Sequence, residues 1–209
     1  MYIVKDKTLG DCVFANGFTR KYFKTITVSG EREWENPAIS ELGTLGGSTF
    51  ACAATGDRGN NGINVAFDKN QSTSYFNRCG SGADMNYLTI TMYNPVAIRV
   101  RSIEIVPGYY SLNSGILQYS DNGSTWTDIK GVTKGQNDVP NVGLHKYWKI
   151  RAIEGVYSGG YSGGYRNVQV SEIYLRGFEP YTYQKEVEAT ADDYDRYEDH
   201  LNILRGEIK

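Results

Sequence analysis

Residues 88–106 read Leu-Thr-Ile-Thr-Met-Tyr-Asn-Pro-Val-Ala-Ile-Arg-Val-Arg-Ser-Ile-Glu-Ile-Val, and they decide the fold class. Leu88, Ile90 and Met92 alternate with Thr89, Thr91 and Tyr93, the period-two pattern of a strand with one buried face. After Asn94-Pro95 the same period turns Ile98 and Val100 inward, then Ile103 and Ile105. That change of phase near Arg101-Ser102 predicts a β-bulge, which inserts one residue and flips the faces beyond it. Outward from this segment the pattern repeats. Residues 115–120 form a shorter strand, Asp121-Asn122-Gly123-Ser124 supplies a turn of residues that tolerate positive φ, and Trp126 and Ile129 resume the apolar face, which together predict a hairpin. Residues 146–152 place Trp148, Ile150 and Ala152 opposite Lys149 and Arg151, and residues 168–176 alternate with a further phase change. The tryptophans Trp126 and Trp148 fall in step with aliphatic positions and are expected in the core. Strands about ten residues apart with no helical period between them indicate an all-β antiparallel sandwich or jelly roll.

Composition agrees and narrows the function. The chain has 209 residues with 24 Gly and 17 Tyr, and 22% of them are charged. A formal charge of −2 supplies no basic footprint for nucleic acid or an anionic membrane. Two His and three Cys, scattered as His145, His200, Cys12, Cys52 and Cys79, do not make a zinc module. They also argue against a disulfide-stapled scaffold, and Cys52 and Cys79 pair only where folding brings them together. No run reaches the ~18 apolar residues of a membrane span, so no membrane insertion is expected. The start lacks the basic-then-apolar order of a secretory leader.

Three regions follow. Residues 46–178 hold the strand pattern. Residues 1–45 form an extension or docking segment, with strand signals over 18–28 and a charged turn over Glu31–Pro37. Residues 179–209 change character: nine acids, four bases, and no Gly before Gly206. Thr190 to Asp193 reads as a capping box with Asp in place of Glu. Val187, Thr190, Tyr194, Tyr197, Leu201, Leu204 and Ile208 are spaced three and four apart, so a C-terminal α-helix is predicted, either joining copies of the chain in a homo-oligomer or docking to a partner, or else packing on its own domain. The repeat from Tyr157 to Tyr165, Tyr-Ser-Gly-Gly twice and a closing Tyr, is too glycine-rich for a helix and too poor in aliphatics for a core strand, and is expected as an exposed loop.

Five motifs in order carry a resemblance: residues 66–73 (Ala-Phe-Asp-Lys-Asn-Gln-Ser-Thr) with Tyr75-Phe76, Leu88-Thr-Ile, residues 118–126 (Gln-Tyr-Ser-Asp-Asn-Gly-Ser-Thr-Trp), residues 146–151, and residues 171–177 (Ser-Glu-Ile-Tyr-Leu-Arg-Gly). Together they resemble the discoidin-type, galactose-binding-like jelly roll shared by coagulation-factor C domains and many carbohydrate-binding modules. The chain departs from the family in having Asp68-Lys69-Asn70 where Asp-Gly-Asp or Asp-Gly-Asn is usual, and Tyr75-Phe76 in place of a Trp. The resemblance implies a structural Ca²⁺ at the first motif. Asp68, Asn70, Thr73 and Glu172 are the hard oxygen donors calcium prefers. Glu172 shares a face with Val168 and Val170 and points inward unless a bulge intervenes; the alternatives are a pair with Arg176 or Arg151, or a place in solvent.

The resemblance also implies a shallow ligand site in loops. Tyrosine suits a sugar, its ring covering the apolar pyranose face while its hydroxyl meets the ring hydroxyls. Tyr109 and Tyr110 after Pro107-Gly108, Tyr157, Tyr161 and Tyr165 in the repeat, and Arg166, Asn167 and His145 are the candidates, with a protein interface as the alternative use of such a loop. Triads, phosphate loops and hydrolase elbows lack their parts, so no catalysis is expected. A binding module without a leader, flanked by docking segments, looks similar to virion accessory proteins of bacteriophages made in the host cytoplasm. Glycans or other virion and cell-surface proteins are then the partners. The alternatives are a virion connector that binds no sugar and an extracellular carbohydrate-binding module of a secreted glycosidase.

Overall fold

The strands occur in the order β1 Ile3–Asp6, β2 Gly10–Phe14, β3 Tyr22–Glu35, β4 Ala51–Thr55, β5 Tyr75–Gly80, β6 Thr89–Pro107, β7 Ser114–Ser120, β8 Thr127–Val132, β9 Gly135–Asp138, β10 His145–Glu154, β11 Val156–Ser158 and β12 Tyr165–Glu188. One 3-10 turn, Ile63–Phe67, joins β4 to β5. This computed structural model describes residues 3–6, 10–14, 22–80, 87–158 and 164–188. Contacts divide the chain into two units, Met1–Gly30 with Tyr181–Lys209, and Glu31–Pro180. No helix among the described residues is long and apolar enough to cross a membrane.

In the larger unit β6 belongs to two sheets. Its first part pairs with β4 and β10, and β7 and β8 extend that sheet beyond β10. Its second part lies between β12 and β9, and β12 also pairs with β5 and β11. All these pairings are antiparallel. Ile90, Met92, Leu117, Trp148 and Ile150 from the first sheet and Ile103, Ile105, Val168, Val170 and Ile173 from the second enter one buried cluster. The unit is therefore an all-β antiparallel sandwich.

The expected phase change in β6 falls at Arg101. Gly177 of β12 faces Val100 and Arg176 faces Ser102, which leaves Arg101 as the extra residue. The Arg101 carbonyl is taken by the Val139 amide at 2.8 Å. Crowding at this crossing explains the glycine, since a Cβ on Gly177 would sit 2.0 Å from the Arg99 carbonyl oxygen. A second bulge falls at Ser171, because Val170 faces Pro107 and Glu172 faces Val106. The β7–β8 turn forms as its residues predict: Gly123 has φ +73, and Asn122 Oδ1 accepts the Ser124 and Thr125 amides at 2.9 Å.

Three expectations are corrected. Residues 179–188 continue β12 and are not helical; Val187 of the heptad is in that strand, and the capping box and remaining heptad positions lie outside the described residues. Glu31–Glu35 is the end of β3 rather than a turn, with Asn36 extending the pairing through its amide to the Leu175 carbonyl (3.1 Å) and its Oδ1 to the Leu175 amide (2.7 Å). Trp148 is in the core at 1% exposure, but Trp126 is not. It lies half-exposed outside the first sheet with Lys149 Nζ 3.6 Å from its ring centre. Cys52 and Cys79 are both buried free thiols.

In the smaller unit β1, β2 and β3 form an antiparallel meander. Gln184 donates to Thr27 Oγ1 at 3.0 Å, and Tyr181 stacks on Tyr183 with ring centres 5.6 Å apart.

Candidate functional site

Strand β5 alternates cleanly. Tyr75, Asn77 and Cys79 are buried, so Phe76 and Arg78 point outward. Phe76 lies 5.9 Å from the Tyr110 ring, and Tyr110 meets Tyr109 edge to face at 4.9 Å. Tyr109 is left 86% exposed. The loop carrying these tyrosines is fixed to β12: the Gly108 amide donates to the Gln169 carbonyl at 2.9 Å, and the Gln169 amide donates to the Tyr110 carbonyl. On the same outer face the Arg78 guanidinium lies 4.4 Å from the centre of the Tyr165 ring, and Tyr165 is 40% exposed. The result is a strip of aromatic rings, two of them open to solvent, edged by cations.

Asn77 organises the loop behind the strip. Its Nδ2 donates to the Thr55 carbonyl at 2.9 Å, and its Oδ1 accepts the Arg58 amide at 3.0 Å and the Arg78 amide at 2.8 Å. Gly56 and Gly59 have φ +130 and +52, a chain path that L side chains rarely adopt. The Tyr75 hydroxyl reaches over to donate to the Gly59 carbonyl at 2.7 Å. Arg58 thus leaves the loop with its guanidinium 5.3 Å from the Phe76 ring centre, a cation–π arrangement.

The structure brings Tyr109, Tyr110 and Tyr165 onto this strip, with Phe76, Arg58 and Arg78, which the sequence reading did not single out. Arg166 faces Cys79 across the β5–β12 ladder and so points to the other side of the sheet. Asn167 pairs with Arg78 on one side and Val156 on the other and is buried. His145 lies elsewhere, at the start of β10. It stacks on Tyr119 at 3.8 Å, with Nδ1 2.8 Å from Asp121 Oδ1 and Nε2 2.9 Å from the Val142 carbonyl. Tyr161 and the Tyr157 side chain lie outside what is described.

The first motif closes on itself. Asp68 accepts the Asn70 amide on Oδ1 at 2.7 Å and the Thr73 hydroxyl on Oδ2 at 2.8 Å. Asn70 in turn accepts the Ser72 amide on its side chain at 3.1 Å. Lys69 takes φ +62, the positive-φ position for which the related motif uses glycine. Glu172 is fully buried and neither carboxylate oxygen has a hydrogen-bond partner. Arg176 is engaged by Glu35 and Glu104, and Arg151 by Asp128. Burial pushes the Glu172 carboxyl up to about 7; the Lys69 ammonium opposes this, the Asp68 carboxylate adds to it, and the Lys69 and Ile173 amides pull it down weakly from outside bonding geometry. Among the described residues no three His, Cys, Asp or Glu side chains gather. A cation here would use two carboxylates and neutral oxygens, the mixed set that suits calcium. A bare buried carboxylate beside a second one fits such an ion.

No family model matches the chain, and no curated protein does. Solved structures give looser likenesses. The module CBM32-3 of a family 31 glycoside hydrolase from Clostridium perfringens aligns at 17% identity and TM-score 0.44, over 62% of this chain and 90% of the module. A family 89 glycoside hydrolase from the same organism aligns at 17% and 0.46, over 65% of this chain, and the match spans 15% of the hydrolase. The F5/8 type C domain of a Bacteroides fragilis protein aligns at 16% and 0.46, over 61% and 91%. At TM-scores below 0.5 the function has to be read from this chain's own residues.

Proposed function

We propose that the chain is a non-catalytic glycan-binding module of the galactose-binding-like kind that works outside the cell. The observation that carries this is the ring of Tyr109, almost wholly bare yet braced edge to face by Tyr110. Leaving a large aromatic in water is unfavourable unless something covers it, and a ring already held in place offers a pyranose face a platform at little entropic cost. The module is chosen over the virion component because assembly in that reading rested on a helix over 179–209, whose first ten residues are strand.

Calcium at Asp68 and Glu172, with neutral oxygens from Asn70 and Thr73, belongs to the same proposal. When bound it neutralises two carboxylates and pins the loop. The chain's residues do the rest, since Asp68 and Thr73 already hold that loop closed.

A glycan array followed by affinity electrophoresis on the bound sugars tests the proposal. Tyr109→Ala is expected to weaken binding about tenfold, equivalent to ~1.4 kcal/mol, with the melting temperature unchanged. No binding to any glycan, neutral or acidic, sinks it.

A further inference from the structure

Charge on the outer face singles out one side chain. Arg32, Arg99, Arg101, Arg151 and Arg176 are each neutralised by a carboxylate, from Glu179, Glu31, Glu33, Asp128 and Glu35 respectively. Arg58 pairs with no carboxylate among the described residues. Its backbone is held by the Asn77 side chain at its amide and the Asn61 amide at its carbonyl, and its guanidinium lies over the Phe76 ring. Arg78, two residues along β5 from Phe76, has Asp57 at 3.9 Å, the outer limit of an ion pair. A chain that carries a net charge of −2 and pairs these other arginines leaves a cation open on its aromatic strip.

We infer that the ligand of this strip is an acidic glycan, a sugar whose carboxylate or sulfate is taken by Arg58 while its ring lies on the neighbouring aromatics. The inference rests on the glycan reading above and adds the charge of the sugar. Guanidinium presents a planar fork of donors that matches a carboxylate or sulfate edge in two parallel hydrogen bonds. Here the fork is pre-aimed. Asn77 fixes the Arg58 amide, Gly56 and Gly59 set the turn on either side, and the cation–π contact with Phe76 restrains the guanidinium, so less side-chain freedom is lost on binding. Arg78 reinforces the field, because an arriving anion competes with Asp57 across a stretched contact.

Affinity electrophoresis of the full chain against polygalacturonate, a sulfated galactan and neutral galactan, at low and at raised salt, tests this. At least tenfold tighter binding to one or both acidic polymers than to the neutral one is expected, with the preference shrinking as salt is added. The two acidic arms separate carboxylate from sulfate. Arg58→Gln is expected to erase the preference, Arg58→Lys to restore only part of it, and Lys130→Gln on β8 to change nothing. Equal affinity for neutral and acidic polymers, or a preference that survives Arg58→Gln in a protein of unchanged melting temperature, overturns the acidic ligand and leaves the glycan reading standing. Binding to none of the three, and to no glycan on an array, overturns both.

Discussion

Burying the Glu172 carboxylate without a partner costs free energy whenever it is ionised, and its shifted pKa sets the pH at which that cost appears. The folded value is near 7 against an ordinary 4.5. Between these two pH values the folded state binds the proton more tightly than the unfolded chain does. The stability of the metal-free protein therefore falls as pH rises through this window. Calcium selects the ionised form and opposes the loss. Thermal melts with EDTA and with calcium are expected to show a small calcium increment at about pH 5 and a large one at about pH 8. Glu172→Gln should raise the metal-free melting temperature and abolish the increment. An increment that is equal at the two pH values, or that persists in Glu172→Gln, contradicts a cation at this residue. The burial of Glu172 was legible only as one alternative, since the phase it shares with Val168 and Val170 is reset by the bulge at Ser171, after which Ile173 and Leu175 fill the core. Its isolation was not, because only the tertiary structure shows Arg176 and Arg151 committed to other acids.

At the scale of the element, β6 and β12 cross where each is irregular, and Gly177 is what lets them meet. Gly177→Ala would drive a Cβ into the Arg99 carbonyl and to 2.8 Å from the Val100 Cα. Backbone cannot swing aside as a side chain does, so a loss of about 3 kcal/mol is expected, read as a lower urea midpoint at unchanged slope. A change below ~0.5 kcal/mol would mean that the bulge at Arg101 relaxes freely. That bulge was readable from sequence because aliphatic residues stand on both sides of it, Ile98 and Val100 before and Ile103 and Ile105 after. The end of β3 was not. Glu31, Glu33 and Glu35 alternate with Arg32 and Trp34, but with charges on the repeating face the period carries no hydrophobic signal. What they meet, Arg99, Arg101 and Arg176, lies far away in the chain. Trp126 misled for a related reason, since an aromatic in step with strand residues can cover the outer face of a sheet as well as fill the inner one. For the site, Tyr109, Tyr110 and Tyr165 could be picked out by composition alone. Phe76 and Arg78 needed the β5 alternation to be followed for two more residues, and Arg58 needed the fold.

For the molecule as a whole, the fold class was legible in the strand pattern, whereas residues 179–188 were read as the start of a helix because the tail's composition is helical and β-pairing partners do not show in composition. The two sheets of the larger unit share β6, so one leaf cannot be lifted off while the other stays intact. Cys52 lies on β4 in one sheet and Cys79 on β5 in the other, each 3% exposed. Burial pushes the Cys52 thiol up to about 12 and raises that of Cys79 as well. Alkylating reagents attack thiolate, so in the folded state both positions are chemically silent. The pair is then a built-in clock for opening. Pulse labelling with iodoacetamide followed by mass spectrometry is expected to modify Cys52 and Cys79 at one common rate that tracks global unfolding, whereas separate rates would show the leaves parting independently.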